Sequence, residues 1–131
     1  MPRSMVEEKQ ALVDMMLKTT LEVTPGGAAK VADFVPILRP GCTVYVTFLP
    51  GSDFADTLAT VRRLKSDGYN PVPHFAARSI VSSAILEENL AALQHEGVSE
   101  GLLIGGGVDE PLGEFEASID VLHTGLFEKC P

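Results

Sequence analysis

The feature that most limits what this chain can become is a rhythm. Four times, a short extended apolar run is closed by proline or glycine and then followed by apolar residues at helical spacing. The first unit is LEVTPGG with Ala28, Val31, Phe34 and Val35 after it; Pro36 and the turn pair Pro40-Gly41 end its helix near Ile37 or Leu38. The second is CTVYVTFL, closed by Pro50-Gly51-Ser52-Asp53, with Phe54, Leu58, Val61 and Leu64 on one helix face that stops at Gly68. The third is NPVPHFAA, a weaker strand because two prolines break an ordinary ladder, followed by Val81, Ile85 or Leu86, Leu90 and Leu93 up to Gly97. The fourth runs from Gly101 to Gly105 and continues, past a glycine-rich loop, into Phe115, Ile119, Leu122 and Leu126. Ahead of all four, Ser4-Met5-Val6-Glu7 fits a capping box. It opens an amphipathic helix with Val6, Val13 and Leu17 on one face, beside Met5, Leu12 and Met16, ending near Thr19.

Strands that alternate with helices pair in parallel, because a parallel neighbour is out of reach of a tight hairpin. The fold class is therefore α/β, four βα units after an introductory helix. No compositional break or linker divides residues 1–131, which read as one domain. Four such units make half of an eightfold barrel or a small open sheet, and the pattern alone does not choose.

Several function classes lose support from composition. The longest apolar runs fall far short of the roughly 18 to 20 residues of a membrane span. The charged N-terminus lacks the unbroken apolar core of a secretory signal, so a cytoplasmic protein is expected. A formal charge of −8 with no basic stripe argues against nucleic acid as a partner. Cys42 and Cys130 are spaced for neither a CxxC pair nor a metal cluster and read as free thiols. No metal-ligand trio, G-x-S-x-G elbow or G-x-x-x-x-G-K loop is present in the sequence.

Ligands of parallel α/β folds sit at the carboxyl ends of the strands. Those ends offer Glu22, Thr47, His74 and Gly105-Gly106-Gly107, spaced 25, 27 and 32 residues counting to Gly106. Glu22 lies in the apolar-flanked run TLEVT, where desolvation is expected to raise its pKa and suit it to general-acid work. The competing reading is a carboxylate facing solvent on an edge strand or paired with a basic neighbour. Thr47 serves a polar ligand or only a strand's preference for a branched Cβ. His74, between Pro73 and Phe75, is a ligand contact or a satisfied core histidine, while His95 and His123 read as solvated. The glycine triplet follows the fourth strand, so it is no Rossmann fingerprint, which belongs after the first. It suits a flat ring lying against backbone.

The motifs LEVTP, VYVTF, PHFAAR and LLIGGGVDEPLG, in this order and spacing, resemble the methylenetetrahydrofolate reductase family over about residues 12–125. That resemblance implies a (β/α)8 barrel that holds FAD, is reduced by NAD(P)H and converts methylenetetrahydrofolate to methyltetrahydrofolate. It implies Glu22 as the general acid that protonates the folate, Thr47 and His74 as flavin contacts, and Gly106 and Gly107 as backbone beside the flavin ring.

Two departures accompany it. The family's aspartate after the glycine falls on Gly107, removing a charge; Asp109, two positions on, is the nearest acid and the candidate to replace it toward folate. A complete barrel also needs roughly twice this length. Half a barrel has open edges, so a homo-oligomer or a complementing half-barrel is expected as partner. The alternatives are a non-catalytic half-barrel that binds folate or flavin, and a flavin-free folate-dependent methyl transfer protein.

Overall fold

The four extended runs pair as expected. The computed structural model describes residues 4–129 and contains α1 (Met5–Met16), β1 (Leu21–Val23), α2 (Pro25–Ala29), β2 (Thr43–Val46), α3 (Phe54–Ser66) and β3 (Asn70–Ala76). A 3-10 turn (Ala77–Ser79), α4 (Ser83–His95), β4 (Leu102–Ile104), α5 (Ser118–His123) and α6 (Leu126–Lys129) complete it. The sheet is parallel throughout, in the order β1-β2-β3-β4. That unreversed order is compatible with half of a βα barrel and lacks the switch point of a doubly wound sheet. Among the described residues no helix is long and apolar enough to cross a membrane. Cys42 is a buried free thiol, and Cys130 lies outside the described residues.

One face of the sheet is packed. Along β2, Val44 and Val46 are buried while Thr43 and Tyr45 are half-buried, the alternation of a sheet covered on one side. Helix α3 lies over β2 and β3 between α2 and α4, turning Val61 and Leu64 inward. Asp53 caps its start by accepting from the Ala55 amide at 3.0 Å, and Gly68, at φ +84°, ends it. Fully burying side chains such as Leu64 contributes about 1.5–3 kcal/mol each.

The strand with two prolines is the longest and lies inside the sheet, against expectation. The Asn70 amide donates to Cys42 O, so backbone alternation turns the nitrogens of Pro71 and Pro73 away from β2. On that other flank β4 begins to pair only at His74, so the missing donors cost the ladder nothing.

Three helical expectations need correction. The first crossover helix stops at Ala29, well before Ile37. Thr24 caps it, and an Asx turn, Val35 N to Asp33 Oδ1 at 2.9 Å, redirects the chain before Pro36. Arg63 of α3 stands in for the missing turns, donating to Ala28 O at 2.8 Å and Val31 O at 2.6 Å. Its guanidinium also sits 4.7 Å from the centre of the buried Phe34 ring. Further on, Val121 and Leu126 are buried while Ile119 and Leu122 are exposed, because Gly125 (φ +67°) splits the last helix in two. Helix α1 forms with its capping box, Ser4 N to Glu7 Oε2 at 2.7 Å and Glu7 N to Ser4 Oγ at 3.3 Å. Its apolar face covers nothing, however, and Met5 is 84% exposed.

Candidate functional site

The sheet's second face carries the chemistry. Pairing sets Glu22 beside Tyr45 and Tyr45 beside Val72; two residues on, His74 sits beside Leu102. Neighbours in register share a face, so these five side chains stand on the side that α3 does not cover. Glu22, Tyr45, His74 and Leu102, with Thr20 and Leu21 at the rim, bound a shallow hollow of about 290 Å³.

Glu22 is exposed, so the burial expected from its apolar flanks is absent. The reason is its place on the three-residue edge strand β1, where Leu21 is itself exposed. What orients Glu22 is Thr47. The Thr47 amide extends the ladder one step past β2 by donating to Val23 O at 2.8 Å, which carries its hydroxyl to Glu22 Oε1 at 2.6 Å. That bond directs the carboxylate toward the carboxyl rim of the sheet and leaves Oε2 free.

His74 is half-buried, with its ring tilted 60° against Tyr45 at 6.0 Å between centroids. Both ring nitrogens are sealed from solvent and have no hydrogen-bond partner among the described residues. An unsatisfied buried polar group costs about 1–3 kcal/mol, and a ligand would have to displace the groups that seal the ring before it could bond either nitrogen. The sequence reading of a satisfied core histidine does not hold.

The glycine triplet follows the carboxyl end of β4 and does not line the hollow, which reaches back to Thr20 and Leu21 at the start of β1. It turns beside the 3-10 segment: Gly105 O accepts from the Arg78 amide at 2.9 Å, and Gly106 adopts φ +96°. A Cβ on Gly106 would lie 3.3 Å from Ala76 Cβ, whereas Gly107 has open space around it. Asp109 is exposed and outside the hollow as well; its carbonyl is held by the Arg78 guanidinium. The structure thus places Glu22 and His74 on one hollow, joins Thr47 to it through its bond to Glu22, and leaves Gly106, Gly107 and Asp109 in the loop after β4.

Two contributors escaped the sequence reading. Tyr45 is one; its position two residues before Thr47 puts it on the same strand face, a signal that alternation alone provides. Arg78 is the other. It donates to Val108 O at 2.8 Å, to Asp109 O and to Glu116 O at 3.1 Å, and its carbonyl accepts from Leu112 N at 2.9 Å. One side chain therefore shapes the whole loop after β4. Gly113 completes the fit, since a Cβ there would lie 2.2 Å from Val81 O.

A carboxylate aimed by a hydroxyl, on the sheet face that also carries His74, can accept hydrogen bonds from a polar ring system laid across the strands. No family model matches the chain.

Proposed function

We propose that this chain is half of a methylenetetrahydrofolate reductase-type (β/α)8 barrel that retains part of a flavin and folate site. The observation that carries the reading is the pairing of Glu22 with Thr47 at 2.6 Å on the sheet face that also carries His74, whose two ring nitrogens are sealed and unpartnered. Support for the barrel comes from the unreversed parallel order β1-β2-β3-β4 with α3 packed on one face.

The residues present fit a flavin in part. Thr47 and His74 would hold it, and the unsatisfied imidazole is a positive reason to expect a polar ring there. Gly107 brings no charge, so the negative charge the resemblance assigns to that position is lacking. FAD, when bound, supplies hydride carriage from NAD(P)H to the folate. The protein's own step belongs to Glu22: Thr47 occupies Oε1, and a proton carried on Oε2 would pass to a folate ring nitrogen, without the desolvation expected from the sequence, since Glu22 is exposed.

The test is an absorbance spectrum of the purified protein with and without added FAD, together with NAD(P)H oxidation using menadione as acceptor. A yellow protein that oxidises NAD(P)H supports the reading; a colourless protein that takes up no FAD and oxidises nothing defeats it.

A second reading, a non-catalytic half-barrel that pairs with another half, is favoured by the two open sheet edges and the uncovered apolar face of α1. Sedimentation distinguishes it. A dimer completing eight strands supports pairing, and a 14.0 kDa monomer refutes it.

A further inference from the structure

On the helix side of the sheet lies a second cavity, about 330 Å³, bounded by the start of α3, the end of β3 and the body of α4. Its walls are mainly apolar, with Phe48, Phe54 and Phe75 facing Ile80, Leu86 and Leu112. Leu112 reaches it from the loop that Arg78 holds. The volume falls within the range of small-molecule sites, roughly 300–1,000 Å³.

Six polar side chains break the apolar lining: Ser52 and Asp53, which are engaged with Leu49 O and the Ala55 amide, His74, and Thr57, Ser79 and Asn89. Thr57 is buried, and Ser79 Oγ is sealed from solvent without a partner. Neither Thr57 nor Asn89 makes a side-chain hydrogen bond to any described residue. Packing alone would favour valine and alanine at 57 and 79, which keep similar volume without an unpaired hydroxyl. With His74, four side chains without a hydrogen-bond partner border one apolar hollow, the arrangement of a ligand site with a few convergent contacts. The charge of the ligand is also constrained. Asp53 stands at the mouth and the chain carries a formal −8, so an anion is disfavoured.

We propose that this cavity binds an uncharged, flat heteroaromatic compound, its ring between the phenylalanine walls and its polar edge bonded by Ser79, Thr57 and Asn89. His74 lines both this cavity and the hollow around Glu22, so the proposal shares that one residue with the flavin and folate reading, while Thr57, Ser79 and Asn89 belong to this cavity and not to that hollow.

Indole is a suitable probe, with benzoate as the anionic control, followed by amide NMR of the full chain. Indole should give saturable shifts at Thr57, Ser79 and Asn89 and leave Glu22 and Thr47 unmoved, with benzoate at least tenfold weaker. Ser79→Ala should melt higher, because an unpaired hydroxyl is gone, yet bind indole about threefold to tenfold more weakly. Thr57→Val should behave in the same way, and Asn89→Phe, which fills the hollow, should abolish the shifts. Absence of saturable shifts, shifts centred on Glu22, equal binding of benzoate, or alanine and valine variants that bind as the parent does would each overturn the proposal. A protein that ignores FAD but passes this test sinks the flavin reading alone.

Discussion

Replacing Arg78 by alanine tests how the loop after β4 is built. The guanidinium donates to three carbonyls, Val108, Asp109 and Glu116, which span residues 108–116. A hydrogen bond from a charged donor contributes about 1.5–3 kcal/mol when shielded. Here the bond to Val108 is partly buried and the other two are exposed, so they merit a fraction of that value. The sum is about 2–4 kcal/mol, which corresponds to roughly a thirtyfold to thousandfold rise in local opening. Hydrogen exchange by mass spectrometry would read it in the segment 105–117, where amides such as Leu112 N are bonded to the 3-10 turn. Protection in α3 should change much less, since Arg78 makes none of its contacts there. Arg78→Lys should lose most of the same protection, because one ammonium cannot span three carbonyls. Unchanged exchange in 105–117 for both variants would refute the view that this side chain shapes the loop.

Acidity should loosen the start of α4. The Ser83 hydroxyl and amide bonds hold the Glu114 carboxyl below its ordinary value of 4.5, so the contact stabilises the fold above that pH and is lost as pH falls through the lowered folded value. Melting curves from pH 6 downward should show this loss, and Glu114→Gln should remove that component of the pH dependence. Gly107→Asp should be tolerated within about 0.5 kcal/mol, since the site is open and its backbone is not left-handed. If Gly107 accounts for a missing charge beside a flavin, the same variant should bind FAD differently from the parent in a direct titration.

The elements legible in the sequence are those decided by near neighbours. The Ser4 to Glu7 capping box, the α3 face ending at Gly68 and the four parallel strands all follow from spacing and punctuation within a few residues. What the sequence hid depends on distant partners. Phe34 is buried as its helical spacing implies, but Arg63 rather than a helix puts it there. The central position of the Pro71 and Pro73 strand rests on where β4 begins to pair. Glu22 reads as desolvated because its neighbours are apolar, yet a three-residue edge strand leaves it exposed. The glycine triplet follows the carboxyl end of β4 while the hollow reaches toward the start of β1, and the loop after the triplet is held by Arg78, about 30 residues earlier in the chain. Periodicity carries no record of such contacts.

The claim on which the functional account rests is that Thr47 and His74 serve one ligand on the open sheet face beside Glu22. Flavin fluorescence quenching on titration with FAD, run on the parent chain, Thr47→Val and His74→Ala, tests it most directly. The account predicts saturable quenching that each substitution weakens, by about tenfold if one hydrogen bond of about 1.4 kcal/mol is lost. Quenching that never saturates, or an affinity indifferent to both substitutions in folded protein, would contradict it.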